Sequence, residues 1–339
     1  MRVGVVGASG YAGAELLRLC AGHPDLDVVV AGADSQAGEA VGSLYPSLAG
    51  AYPSLAFAKV GPDELHGLDV VFLALPHGES ATLVPALLGR VGAVVDLSAD
   101  FRLRDPAAYR DWYGLDHPCP ELLADFAYGL PELFGGALAG ATRIAAPGCY
   151  PTAAALALAP LVRDGVVEPE GVVVDAASGV SGAGRKLAAH TQFNAVDEDF
   201  VAYGLLTHRH TPEIEQATGA RVLFTPHLAP MNRGILATCY ARPAAGTTTS
   251  TDDLLGVLRD AYATAPFVVV REDPPSTKAT LGSNAAHVTA RFDERTGWVL
   301  ALCAIDNLGK GAAGQAVQCV NLALGLPEDR GLSVTGVYP

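Results

Sequence analysis

Cys149 stands in the run Ala146-Pro147-Gly148-Cys149-Tyr150-Pro151-Thr152, directly ahead of a stretch rich in Ala and Leu. Pro151 suits the first turn of a helix, where its missing N–H would have no intrahelical partner anyway. A cysteine placed there meets the positive end of a helix dipole, which favours thiolate over thiol. The chemistry expected of it is nucleophilic attack through a covalent intermediate. The other five cysteines (Cys20, Cys119, Cys239, Cys303, Cys319) lack such a frame and read as buried and inert. No two of the six form a C-x-x-C pair, which disfavours zinc or a disulfide scaffold and fits a reducing, cytoplasmic setting.

A nucleophilic thiolate needs a group to take and return its proton. His208-Arg209-His210-Thr211-Pro212-Glu213 offers two imidazoles two residues apart, which on a strand would face one side. Thr211 is placed to cap the helix that Pro212 starts. No third ligand accompanies the pair at a convincing spacing, so no metal is expected. Both histidines are carried as the acid/base, with His208 slightly preferred.

The run Gly7-Ala8-Ser9-Gly10-Tyr11-Ala12-Gly13 follows an apolar strand pattern and opens a helical one. Glycine there permits a tight turn and lets backbone approach a pyrophosphate seated on the helix N–H groups. The spacing is G-x-x-G-x-x-G, and its position after the first strand points to a dinucleotide. Asp34 and Ser35 end the second strand, where the adenosine ribose is read. The acid suits NAD and the hydroxyl suits a 2′-phosphate, so the residues alone leave NAD and NADP open.

Two further segments read as anion holders. One is Asp96-Leu97-Ser98-Ala99-Asp100-Phe101-Arg102, at the end of a parallel strand. The other is the hydroxyl-rich loop Ser178-Gly179-Val180-Ser181-Gly182-Ala183-Gly184-Arg185. With 22 Lys and Arg against 36 Asp and Glu, the chain carries a formal charge of −14. Such a chain repels anions at long range. An anionic small-molecule substrate would therefore need Arg102, Arg185 or Arg209 close by. The same charge argues against nucleic-acid partners and an electrostatic membrane anchor. The N-terminus lacks a signal-peptide layout, and the longest apolar run is about half the ~20 residues of a membrane span.

Short apolar runs at 2–6, 27–31, 69–75 and 93–97 read as buried strands, with a helix at 11–21 between the first two. Strand, helix and strand in about thirty residues is a βαβ unit, and its repetition predicts a doubly wound parallel sheet. From about 150 to 305 β patterns dominate, at 171–176, 221–225, 235–242, 267–271, 287–292 and 298–305, with a helix near 252–263. A mixed or antiparallel sheet is expected there. A last helix, 310–324, follows Asp306-Asn307-Leu308-Gly309. The predicted architecture is an α/β Rossmann-type domain, 1–148 plus 306–339, and an α+β catalytic and oligomerisation domain, 149–305.

Together these segments closely resemble the N-acetyl-γ-glutamyl-phosphate reductases, the arginine-pathway branch of the semialdehyde-dehydrogenase group. The resemblance runs in order through the turn at 7–13, Leu75-Pro76-His77-Gly78, the segment at 96–102, Pro-Gly-Cys-Tyr-Pro-Thr, the loop at 178–185, His-Arg-His-Thr-Pro-Glu-Ile, Arg233-Gly234-Ile235 and Asp306-Asn307-Leu308-Gly309-Lys310. It implies NADP(H) as cofactor, a homotetramer or homodimer, and Cys149 as nucleophile in reductive dephosphorylation through a thioester. Cofactor contacts are assigned to Gly7, Ser9, Gly10, Tyr11, Ala12, Gly13, Ser35, Pro76, Ser98, Gly182 and Asn307. Substrate contacts fall to Arg102, Ser178, Arg185, Arg209 and Glu213. Two alternatives remain: the same chemistry on the one-carbon-longer α-aminoadipyl analogue of lysine synthesis, and an NADP-binding sensor or scaffold without catalysis.

Overall fold

The computed structural model describes residues 1–338, which form two compact units: Met1–Pro147 with Ala312–Leu332, and Gly148–Gly311 with 333–338.

The first unit holds a seven-stranded sheet built from β1 (Arg2–Val6), β2 (Asp27–Gly32), β3 (Phe57–Ala58), β4 (Val70–Leu73), β5 (Ala93–Asp96), β6 (Ala127–Tyr128) and β7 (Arg143–Ala145). The spatial order is β3-β2-β1-β4-β5-β7-β6, with every pair parallel. Alternate residues of β4 enter opposite cores: Val70 and Phe72 pack with Leu16 and Leu17, while Val71 and Leu73 pack with Val84 and Leu87. Both faces are thus covered, which is why these strands read as unbroken apolar runs. The expected doubly wound sheet is present. Helix Tyr11–Gly22 starts as predicted, and helix Gly314–Ala323 packs against it through Ala316, Val317 and Val320.

The second unit carries β8 (Val172–Ser178), β9 (Val201–Ala202), β10 (Val222–Leu228), β11 (Ile235–Ala241), β12 (Val268–Val270), β13 (Ala286–Asp293) and β14 (Trp298–Ile305). Their order is β12-β13-β14-β11-β8-β10-β9. The β8–β10 and β12–β13 pairs are parallel and the others antiparallel, so the sheet is mixed. Helix Cys149–Arg163 packs on this sheet and is buried along nearly its whole length, which explains its run of Ala and Leu. Pro160 lies inside it and cannot donate to the carbonyl of Leu156. The hydroxyl of Tyr262 donates to that carbonyl instead, at 2.7 Å. Helix Thr251–Ala261 begins with a capping box, in which Ser250 and Asp253 bond each other's backbone N–H.

Residues 306–311 and 333–338, expected in the nucleotide-binding part, cluster with the second unit, and Pro339 lies outside the described residues. The reason is local bonding. Asp306 pairs with Arg233 and accepts the N–H of Gly282 at 2.6 Å, while the N–H of Val337 donates to Leu281. The last helix also begins later than expected, because a π-helical turn occupies Gly309–Ala313 ahead of Gly314. Among the described residues no helix is long and apolar enough to cross a membrane, and no group of three metal-capable side chains is present.

Candidate active site

Cys149 is the first residue of its helix, with Gly148, which has no side chain to cap the first turn, as N-cap. Of the six cysteines it alone is only partly buried. Two neighbours fix its position. Glu213, fully buried in helix Thr211–Thr218, accepts the N–H of Gly148 at 2.8 Å. Gly311 packs against it so closely that a Cβ there would lie 2.8 Å from the Cys149 Cβ. Only glycine admits that approach.

His208 and His210 lie side by side, ring centroids 4.9 Å apart. They do not sit on a strand, as the period-two spacing suggested. They occupy a turn that runs into helix Thr211–Thr218, with His210 itself at the N-cap. The Thr211 hydroxyl donates back to the His208 carbonyl at 2.9 Å and does not cap the helix. Nδ1 of His208 accepts the backbone N–H of His210 at 3.1 Å, which puts the proton of the neutral ring on Nε2. Burial, aided by the Arg209 charge, pushes the His208 pKa down to about 4.

The other residues of the second unit fall in two groups. Arg185 is half-buried and Arg209 exposed, in the loops that follow β8 and β9. Ser178 ends β8, where its hydroxyl donates to the Gly179 carbonyl, and Gly182 lies so near that a Cβ there would be 3.0 Å from the Ser178 Oγ. Asn307 uses both ends of its amide within this unit: Oδ1 accepts from Gly234 at 2.7 Å and Nδ2 donates to Ser181 at 2.9 Å.

In the first unit, the turn at 7–13 fits a dinucleotide. Gly7 has a φ of +82°, and a Cβ on it would lie 2.2 Å from the Ala74 carbonyl oxygen. A Cβ on Gly13 would lie 2.3 Å from the Gly7 oxygen, whereas Gly10 has only that oxygen near, at 3.4 Å. The turn is therefore closed tightly against β4 and the helix start, and no side chain caps the helix at Gly10. Ser9 is held through its carbonyl by the Tyr45 hydroxyl at 2.7 Å. Tyr11 is exposed, Ala12 is half-buried, and Ser35 and Pro76 are exposed. Ser98 is buried against the Asp96 carboxylate at 2.9 Å.

Arg102, expected on the substrate, is nearly buried. Its guanidinium donates to the carbonyls of Ala146 and Leu97, both at 2.8 Å. Burial and the neighbouring Asp100 carboxylate raise the Asp96 pKa to about 6. Burial also pushes Asp100 up, but hydrogen bonds from His77, Gly78 and Ala81 outweigh it and hold that carboxyl below its ordinary value.

Residues 2–141 match the family model "Semialdehyde dehydrogenase, NAD binding domain", and residues 149–307 match "Semialdehyde dehydrogenase, dimerisation domain". The chain is 50% identical to N-acetyl-gamma-glutamyl-phosphate reductase of Symbiobacterium thermophilum, covering 100% of this chain and 99% of that one. It is 52% identical to the protein of the same name from Salinispora tropica, with the same coverage. The chain belongs to the N-acetyl-γ-glutamyl-phosphate reductase family. The fold is also that of aspartate semialdehyde dehydrogenase II of Vibrio cholerae (TM-score 0.71, 16% identity, 96% and 98% of the two chains). The enzyme of that kind from Candida albicans, solved with NADP, gives a TM-score of 0.69 at 16% identity, again covering 96% and 98%.

For this N-acetyl-γ-glutamyl-phosphate reductase family member, the residues assigned from the sequence omit Tyr150. Its ring meets His208 and His210 edge-on at centroid distances of 5.7 and 5.9 Å. Its hydroxyl donates to the His227 carbonyl at 3.0 Å and receives the Tyr203 hydroxyl at 3.1 Å. The available signal was its place next to Cys149, in the first turn of a buried helix.

Proposed function

We propose that the chain is an NADPH-dependent reductase that converts N-acetyl-γ-glutamyl phosphate to N-acetyl-glutamate 5-semialdehyde and inorganic phosphate. Full-length identity of 44–52% to reductases of that name supports the substrate. The single observation that carries the chemistry is a partly exposed Cys149 as the first residue of a helix, with the N–H of the preceding Gly148 held by Glu213.

Cys149 thiolate attacks the acyl carbonyl. A C–S bond forms, the bond from carbonyl carbon to phosphate oxygen breaks, and phosphate leaves with the electron pair. Backbone N–H groups in the first turn of the Cys149 helix stabilise the tetrahedral oxyanion. The turn at 7–13 with Ser35 would hold NADPH, which when bound would supply the hydride that takes the thioester to the aldehyde level. Collapse of the thiohemiacetal then returns Cys149 to its starting state. Burial makes the His208 ring a weak base, with a pKa of about 4, which favours His210 for proton exchange with the thiol; His208 Nδ1 accepts the backbone N–H of His210 and so helps position it. Arg185 and Arg209 offer charge to the anionic substrate. Arg102 and Glu213, both buried on backbone groups, act as positioning residues.

The protein works as a homodimer or homotetramer in the cytoplasm. The dimerisation description of the second domain supports assembly, as does the second face of its sheet. There Val173, Leu223, Tyr240 and Leu300 retain exposure while the residues between them are buried.

The test runs the reaction backwards: enzyme, N-acetyl-glutamate semialdehyde, NADP and phosphate, followed by NADPH absorbance. Phosphate-dependent reduction that vanishes in Cys149→Ser, while NADP binding persists, is the expected result. Faster turnover of the aminoadipyl analogue would assign the longer substrate. Retained turnover in Cys149→Ser would remove the nucleophile.

A further inference from the structure

An anionic substrate approaching a chain of formal charge −14 needs a cation held at the point of reaction. Arg102 is taken up by backbone carbonyls, and Arg185 and Arg209 stand on loops. Arg233 is built in differently. It lies in the connection from β10 to β11, and its Nε and Nη2 both donate to Oδ1 of Asp306, at 3.1 and 3.0 Å. Asp306 is fully buried, whereas the Arg233 side chain keeps 22% of its surface in solvent. This side-on contact fixes the plane of the guanidinium fork and turns the edge that carries Nη1 away from the carboxylate.

The backbone of Arg233 is clamped as firmly as its side chain. Gly179, just after β8, packs so closely that a Cβ there would lie 2.8 Å from the Arg233 nitrogen. On the other side, Gly234 donates its N–H to Asn307 Oδ1 at 2.7 Å. The residue that holds Arg233 also reaches the nucleophile. The Gly311 N–H donates to the Asp306 carbonyl at 2.9 Å. A Cβ built on Gly311 would meet that carbonyl oxygen at 3.3 Å and the Cys149 Cβ at 2.8 Å. One glycine therefore separates the anchor of Arg233 from the attacking residue. Nor does Asp306 simply cancel the arginine's charge. Its oxygens also accept the backbone N–H groups of Gly282, Leu308 and Gly309 at 2.6, 2.9 and 3.0 Å, which take up part of the carboxylate's charge.

We propose that Arg233, oriented by Asp306, binds the phosphoryl group of the acyl phosphate, and inorganic phosphate when the reaction runs in reverse. The inference rests on the reductase reading above and gives the leaving group its partner. The phosphoryl oxygen is bonded to the carbon that Cys149 attacks, whereas the substrate's carboxylate lies beyond three further carbons. A cation anchored beside the nucleophile thus meets the phosphoryl group. As the bond from carbonyl carbon to phosphate oxygen breaks, phosphate takes the electron pair, and a fixed guanidinium stabilises the charge it gains. Arg233 is a substrate-binding residue here, and Asp306 a positioning residue.

The experiment compares the parent chain with Arg233→Gln and Arg233→Lys. Arg233→Lys keeps a cation for the buried Asp306, so it folds even if Arg233→Gln does not, as urea melts will show. The first readout is alkylation of Cys149 by iodoacetamide with and without inorganic phosphate, at an ionic strength held constant with chloride. It needs neither cofactor nor turnover, and the other five cysteines are buried. Phosphate is expected to protect the parent, and protection of either variant should need at least ~10-fold more phosphate. The second readout is the reverse reaction, in which the KM for phosphate should rise at least ~10-fold while that for the semialdehyde stays within ~3-fold. A rise confined to the semialdehyde KM gives Arg233 to the carboxylate and overturns the proposal. Equal protection and equal KM values in the parent and Arg233→Lys make the pair purely structural and overturn it too. A parent that shows no phosphate-dependent reduction overturns the reductase reading itself, which an active parent with unaltered variants leaves standing.

Discussion

Glu213 accepts the backbone N–H of Gly148 across 65 residues of chain, and so a helix that begins beside the histidine pair also fixes the residue ahead of the nucleophile. One short helix thus couples both halves of the proposed thiol–imidazole chemistry. Removing the carboxylate leaves a buried donor unpaired, which costs about 1–3 kcal/mol. Glu213→Leu is expected to lose that stability in urea melts and to lower kcat more than it changes KM. Glu213→Gln keeps an acceptor oxygen and should recover most of both. Equal effects in the two variants would deny the positioning role.

The histidines should separate. His210→Asn is expected to lower kcat by about 10²–10⁴, the usual span for a lost acid/base. His208→Asn should cost less in kcat, with a distinct signature in stability. A ring held neutral in the fold takes up a proton more readily once unfolded. Stability therefore falls as pH drops from about 6.5 towards 4, by an amount on the order of 3 kcal/mol. Urea melts of His208→Asn at pH 7 and pH 4.5 should show a shallower fall than the parent.

Asp96 works in the opposite direction over nearly the same range. Its carboxyl binds a proton more tightly folded than unfolded. The stability it contributes is complete below about 4 and is lost as pH rises through about 6. Asp96→Asn is expected to be as stable as the parent or more so at pH 8, and less stable at pH 4. A uniform loss at both pH values would mean that the bonds to Ser98 outweigh the cost of burying the charge.

Glycines in the first turn should not be equivalent. Gly13→Ala forces a Cβ onto backbone atoms at 2.3 and 2.6 Å, so a loss of about 1–3 kcal/mol is expected along with weaker NADPH binding. Gly10→Ala meets only one oxygen at 3.4 Å. It should leave stability nearly unchanged and weaken NADPH alone, as read by cofactor fluorescence titration.

The contrast between these sites also explains what the sequence can and cannot disclose. The turn at 7–13, the strands β1, β2, β4 and β5, and the helix start at Cys149 are legible because glycine, proline and apolar runs act locally. The strands β3, β6 and β7 have two or three residues each, too few to show a period, and exist through their neighbours. The destinations of Arg102 and Glu213 are likewise hidden. A charged residue in a motif looks the same whether it meets a ligand or a backbone carbonyl, and only packing decides. The histidine pair shows the mixed case: its members do come together, but through a turn and not the strand that their spacing implied.

Helix Gly314–Ala323 supplies Ala316, Val317, Cys319 and Val320 to the same core as β1 and β4, although it follows the whole of Gly148–Gly311 in the chain. On the ribosome, then, the first domain to begin is the last to finish. Its sheet waits on the order of ten seconds for its closing helix, at about 5–20 residues per second, while the intervening domain emerges as a nearly unbroken segment. For that time the side of β1 and β4 that this helix will cover is a nascent surface. Chaperone capture during synthesis is expected to concentrate on the N-terminal domain, and a chain truncated before Gly314 should aggregate through it.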